Sequence, residues 1–373
     1  MKKLLLSLGI LLIFCSFLQN NTQIISGKFA LDTTVSLIFS GDIMGHSPQF
    51  KAAYNPVNKT YNYDACFKYV KPYIENADFA ITNLEVPLAG VPYSGYPNFS
   101  SPDELLDGLK NAGYDVILTA NNHVADRGKN GLERTINVIK NRELKFAGSY
   151  SSTQQRDSVY PLILETKGFK VAILNYTYGT NQNKIYSPNI VNMLDSSLII
   201  SDIHRAKTLN ARFIVACVHW GVEYQLRANN EQAKFARILA REGVDIVIGS
   251  HPHVVQNAEY ITDNGQQIPV FYSLGNSISN QRKPHTDGGI MVKVNINTFT
   301  GRIEKISYLP VYVHKGMLDN KYQYHLIPTP DFIKQPTRFL IPSKDSLSLT
   351  YFDQQTRQRI DQFPVLDETL NTK

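Results

Sequence analysis

Short β-branched runs, each stopping in a cluster of polar residues, are what most limit the folds open to this chain. Val35-Ser36-Leu37-Ile38-Phe39 stops in Ser40-Gly41-Asp42, Phe79-Ala80-Ile81-Thr82 in Asn83-Leu84-Glu85, and the run at 114–119 in Ala120-Asn121-Asn122-His123. The run at 213–218 stops in His219-Trp220-Gly221, that at 245–248 in Gly249-Ser250-His251-Pro252-His253, and that at 269–273 in Leu274-Gly275-Asn276. Such runs read as buried strands. Helical patterns separate many of them, over 131–142 (Leu132, Ile136 and Ile139 on one face), 198–209 and 231–242. Alternating strands and helices predict an α/β layered fold, where ligands bind at the carboxyl ends of strands. The polar clusters should therefore gather along one edge.

Other local signals fill in the chain. Ser101-Pro102-Asp103-Glu104 reads as a helix start with Ser101 as N-cap and a stop at Gly113. Residues 61–74 are compatible with a helix that Pro72 kinks or ends. A strand pair is expected over 159–165 and 169–174 around Lys167-Gly168, and strand-like sequence runs over 290–313. These elements define a domain over 34–315. Residues 316–373 take no assignment and are treated as a C-terminal extension.

Lys2-Lys3 followed by an apolar run over 4–18 is a signal-sequence pattern, short for a spanning helix of about 20 residues. Residues 1–20 are therefore read as a signal peptide or N-terminal anchor. No small-x-small cleavage site precedes Asn20-Asn21, and an uncleaved anchor stays open. The protein is expected to be exported, either periplasmic or membrane-anchored and facing outside the cytoplasm. The net charge of +6 is scattered, without a basic arm, which argues against nucleic acid as a partner. Cys217 lies in an apolar run and reads as a buried hydrophobe. A disulfide with Cys66 is permitted outside the cytoplasm, but nothing in the sequence brings the two together.

The polar clusters carry a coherent chemistry. Asp42 and Glu85 supply carboxylates, Asn122 an amide oxygen, and His123, His219, His251 and His253 imidazoles. Mixed nitrogen and oxygen donors suit Zn, Mn or Fe. A carboxylate can bridge two ions about 3.5–4 Å apart, the usual clamp for phosphoester hydrolysis. An imidazole left off the metals can protonate a leaving oxygen. Pro252 is expected to hold His251 extended. Taken singly, Asp42 also fits a helix N-cap and Asn122 a turn. Trp220 reads as packing, and His204, His285 and His314 as surface or structural. Asp126 and Glu223 read as groups that orient ligands, and Tyr178 and Asn276 as shaping either the pocket or its turns.

Taken in order, Gly41-Asp42, Asn83-Leu84-Glu85, Ala120-Asn121-Asn122-His123 with Asp126-x-Gly128, Tyr176-Thr177-Tyr178-Gly179, His219-Trp220-Gly221-x-Glu223, Gly249-Ser250-His251-Pro252-His253 and Ser273-Leu274-Gly275-Asn276 closely resemble the CapA family. These are bacterial capsule and poly-γ-glutamate biosynthesis proteins. The family in turn resembles the calcineurin-like metallophosphoesterases, and the likeness covers about residues 34–280. It implies a four-layer αββα sandwich with its strand-end loops gathered at one edge, and one or two divalent ions. By that resemblance Asp42 and His253 bind the first ion and Glu85 bridges. Asn122, His219 and His251 bind the second, and His123 is an unliganded general acid. Metallophosphoesterases carry a histidine where this chain has Met44, which leaves the first ion absent, weak, or completed by His46 or water.

Two functions follow from the resemblance. One is an exported, metal-dependent hydrolase of phosphoesterase type acting in capsule or poly-γ-glutamate biosynthesis. The alternative is a non-catalytic envelope factor that binds or helps export an anionic capsular polymer. Partners would be that polymer or a phosphoester substrate, together with membrane-bound capsule synthesis proteins.

Overall fold

The apolar run at 35–39 forms the middle of strand β1 (Thr34–Ile43), buried on both faces from Leu37 on. Parallel to it follow β2 (Phe79–Leu84), β3 (Val116–Leu118) and β4 (Lys145–Ala147). The chain then builds a second sheet from β5 (Leu162–Thr166), β6 (Phe169–Thr177), β7 (Phe213–His219), β8 (Ile246–Ser250), β9 (Ala258–Asp263) and β10 (Gln266–Phe271). Its order is β9-β10-β8-β7-β6-β5, with β6, β7, β8 and β10 parallel. Strands β11 (Asn276–Ile278), β12 (Gly288–Asn297), β13 (Ile303–Leu318) and β14 (Lys321–Pro328) return to the first sheet. That sheet runs β14-β13-β12-β1-β2-β3-β4, with β11 pairing alongside the end of β1. These coordinates are a computed structural model that describes residues 33–366 apart from 319, 320 and 340. The expected signal or anchor segment lies outside the described residues. No helix among the described residues is long and apolar enough to cross a membrane.

A parallel strand buried on both sides needs a cover on each. One cover is the opposite sheet: Phe39, Ile81 and Ile117 share a continuous core with Leu174, Val215 and Val247. The other is helical. Helix α1 (Gly128–Asn141) packs on β4, α2 (Asn230–Arg241) on β8 and β9, and α3 (Ser343–Arg359) on β13. The result is the expected αββα sandwich. The carboxyl ends of β1, β2 and β3 and those of β7 and β8 bring their polar clusters together from the two sheets.

Several local expectations need correction. The stretch at 61–74 forms two short helices, Asp64–Phe67 and Lys71–Glu75, because Pro72 sits in the first turn of the second and starts it. Ser101 does not cap. Its N–H donates to Pro87 O at 3.0 Å and its buried hydroxyl makes no bond, so the helix begins at Glu104. Val159 ends a short helix, Thr153–Val159, rather than opening a strand. The hairpin of β9 and β10 went unread, although Asn264-Gly265, both with positive φ, is the two-residue turn such a hairpin demands. The domain boundary expected at 315 falls inside β13, and β14 and α3 continue the same unit. Alternation was masked there because β14 is buried on both faces along much of its length. Cys217 is a buried free thiol, so it forms no disulfide with Cys66, which is buried as well.

Asp245, just before β8, offers a stability test away from the polar edge. Its Oδ2 accepts the Ile214 N–H at 2.7 Å, and burial pushes its carboxyl up to about 6. The folded state thus binds this proton more tightly than the unfolded chain, so stability falls as pH rises from about 4 to about 6. Asp245→Asn keeps the acceptor and removes the charge. After discount for the partial exposure of Asp245, it should stabilise the protein by about 1 kcal/mol at pH 7. The gain should vanish near pH 4. Urea unfolding at the two pH values measures both.

Candidate metal centre

Asp42 owes its place to a break in β1. Pairing with β2 slips by one residue between Ser40 and Asp42, a bulge of the kind that re-aims a side chain. Gly41 permits it, since a Cβ there would lie 2.0 Å from Gly275 O. Glu85 follows the last residue of β2, and Asn122 and His123 lie in the turn after β3. His219 ends β7, and His251 and His253 follow β8. All seven are buried.

Two groups of donor atoms lie within 4.8 Å of one another, Asp42 with Glu85 and His253, and Glu85 with His219 and His251. Glu85 belongs to both. Its Oε1 lies 3.4 Å from His219 Nε2 and 3.7 Å from His253 Nε2. Asn122 Oδ1 lies 2.8 Å from His219 Nε2. The amide is turned that way by its Nδ2, which donates to Asn181 Oδ1 at 3.2 Å.

The residues fit divalent cations. Both Glu85 oxygens and His251 Nδ1 are buried without a hydrogen-bond partner. A buried, unpaired carboxylate is too costly to stand alone. Burial, and then the Asp42 charge beside it, drives the Glu85 carboxyl well above the usual range. Burial, reinforced by neighbouring imidazoles, holds His219 and His251 well below the usual histidine value. They are therefore neutral, the form that ligates metal.

His251 is not extended. Its φ is +101°, and that of His253 is +57°. Non-glycine residues held there cost on the order of 1–3 kcal/mol each and cluster at functional sites. The strain lets the His251 N–H donate to Asp42 Oδ2 at 3.2 Å across the sheets. It also sets the His251 ring 4.8 Å from that of His219.

A polar frame surrounds the donors. Ser250 Oγ lies 2.9 Å from His219 Nδ1. Asn276 Oδ1 lies 3.1 Å from His253 Nδ1, and its Nδ2 donates to the carbonyls of His253 and Thr286, so Asn276 orients His253 as well as shaping its turn. Asn83 takes no role of its own from the sequence, yet its Nδ2 donates to Asp42 Oδ1 at 2.7 Å.

His123 belongs to neither donor group. Its Nδ1–H donates to Asp126 Oδ2 at 2.8 Å. Asp126 is itself fixed by the Phe99 N–H at 2.9 Å and Asn183 Nδ2 at 3.3 Å. Tyr178 lies 4.6 Å from His251 and stacks over His219. Burial, then Glu85 and Glu223, pushes its hydroxyl up to about 12. Glu223 is half-buried, outside both donor groups but close enough to raise Glu85. Trp220 is packing, buried with its Nε1 donating to Tyr272 O at 2.9 Å. His46 belongs to neither donor group. Its Nδ1 faces Gln49 Oε1 at 3.0 Å and the Asn280 N–H at 3.3 Å.

The family described as "Bacterial capsule synthesis protein PGA_cap" matches residues 36–281, which hold every one of these donors. The chain belongs to this capsule synthesis family. It is 27% identical over 322 residues to "Capsule biosynthesis protein CapA" of Bacillus anthracis, covering 83% of this chain and 75% of that protein. It is 29% identical over 331 residues to "PGA biosynthesis protein CapA" of Bacillus subtilis (strain 168), covering 84% and 79%. Among solved structures, the NAD nucleotidase of Haemophilus influenzae overlays with a TM-score of 0.48 at 11% identity, covering 90% of this chain but 64% of that one. The 5'-nucleotidase of Candida albicans gives a TM-score of 0.45 at 11% identity, covering 87% and 57%.

Proposed function

We propose that this capsule synthesis protein is a metal-dependent phosphoester hydrolase acting outside the cytoplasm on a capsular polymer or its precursor. The reading is carried by Glu85, a buried carboxylate without hydrogen bonds shared between two donor groups. In it Asp42, Glu85 and His253 hold one divalent ion, and Glu85, Asn122, His219 and His251 hold the other. Mn, Fe and Zn all suit these donors. A bound pair supplies electrophilic stabilisation of charge on the phosphoryl oxygens.

The protein's own groups supply the rest. Asp126 accepts from Nδ1 of His123 and so fixes its tautomer. The Nε2 atom makes no hydrogen bond among the described residues, and in the imidazolium form it can give a proton to the leaving oxygen. His123→Asn should therefore lower kcat by about 10²–10⁴-fold with alkyl phosphoesters. The loss should be far smaller with a nitrophenyl leaving group, which needs no proton. Metal content should stay unchanged. Equal losses with both substrates would remove His123 from the acid role.

Export rests on the N-terminal sequence pattern. Fractionation of cells producing the full chain checks it, and recovery in the cytoplasm would overturn it.

A further inference from the structure

The two donor groups are unequal. Asn122 adds a fourth donor to Glu85, His219 and His251, its Oδ1 standing 2.8 Å from His219 Nε2. Asp42, Glu85 and His253 gain no fourth Asp, Glu, His or Cys among the described residues, and the neighbouring amide oxygens are engaged elsewhere, Asn83 Oδ1 accepting from Asn121 Nδ2 at 3.3 Å and Asn276 Oδ1 facing His253 Nδ1 at 3.1 Å. Met44 is buried in the core and offers only a thioether, a soft donor ill matched to Mn or Zn beside carboxylates. The His46 ring packs against Phe99, which in turn packs against His123. Its Nδ1 is engaged by Gln49 and Asn280. Both Asp42 oxygens already accept hydrogen bonds, Oδ1 from Asn83 Nδ2 at 2.7 Å and Oδ2 from the His251 N–H at 3.2 Å.

We infer that the centre loads its two ions in order, and the inference rests on the metal reading above. The four-donor position formed by Glu85, Asn122, His219 and His251 holds a resident ion. The three-donor position formed by Asp42, Glu85 and His253 holds an exchangeable one. Fewer protein donors leave more positions for water and for substrate oxygens at the exchangeable ion. The working form is then set by free metal concentration, with the singly loaded form as the resting state.

Chelator-stripped full-length protein titrated with Mn²⁺ tests this. One equivalent should give an uncoupled six-line paramagnetic spectrum, with exchange-coupled signal appearing only in excess metal. Desalting should leave one ion per chain by elemental analysis. The second binding step should be at least about tenfold weaker, the scale of losing even an outlying contribution to a metal site. His253→Ala should keep the resident ion at unchanged affinity and lose the second step, whereas His219→Ala should lose the resident ion. Met44→His should narrow the gap between the steps. Two ions retained with indistinguishable affinities, or loss of the resident ion in His253→Ala, would overturn ordered loading and leave the metal reading intact. Stripped, folded protein that takes up no Mn²⁺ would overturn both.

Discussion

Glu85→Gln is expected to strip the centre of metal and lower phosphoester hydrolysis by on the order of a thousandfold or more. Glu85 is the one residue common to both donor groups, so its loss weakens two positions at once. Even an outlying partner of a metal site contributes about 10–100-fold, and a shared ligand more. Glutamine preserves shape, but its amide nitrogen is a donor set among imidazole nitrogens. The metal-free variant should nonetheless fold at least as well as metal-free wild type. It replaces a carboxylate that is buried and without hydrogen bonds, a group that is costly in apolar surroundings. Elemental analysis and thermal melts with and without chelator measure the two effects separately. A Glu85→Gln protein that keeps its full metal content would refute the bridging role.

Arg156→Ala should destabilise the fold by about 3–5 kcal/mol, the usual consequence of removing one partner of a buried ion pair. Arg156 Nη2 lies 2.7 and 2.6 Å from the two Asp202 oxygens, and its Nε donates to Asn192 Oδ1 at 2.8 Å. The guanidinium also lies 4.8 Å from the centre of the Tyr160 ring, and Tyr176 OH donates to Asp202 Oδ2 at 3.0 Å. Removing the arginine leaves the Tyr176 hydroxyl as the remaining hydrogen-bond donor to the buried Asp202 carboxylate among the described residues. Asn192 also accepts the Thr177 N–H on its carbonyl at 3.0 Å, at the end of β6 beside Tyr178. The loss should therefore loosen the Tyr178 side of the metal centre too. Urea unfolding gives the stability, and the double variant Arg156→Met/Asp202→Leu should recover much of it, because no charge is then left unpaired. A change under about 1 kcal/mol in the single variant would mean that water replaces the arginine.

Much of this protein could be read from its residues alone. Apolar runs with a polar stop define strands whatever surrounds them, because burying their side chains requires that period and length. Strands β1, β2, β3 and β5 to β8 followed from this, though not the three-residue β4, as did the gathering of Asp42, Glu85, Asn122, His219, His251 and His253 at strand ends. Only the tertiary structure decided how those side chains are supported. The positive φ of His251 accompanies a hydrogen bond to a residue 209 positions away, and no local propensity contains it. The parts of Asn83 in holding Asp42 and of Asn181 in turning Asn122 were likewise hidden. The course of the chain beyond 315 was hidden for the same reason, since β14 is defined by its pairing with β13 rather than by an alternating pattern of its own. Short-range sequence fixes which atoms are available, but the packing of two sheets fixes which of them meet, and contacts between distant segments carry no local signature.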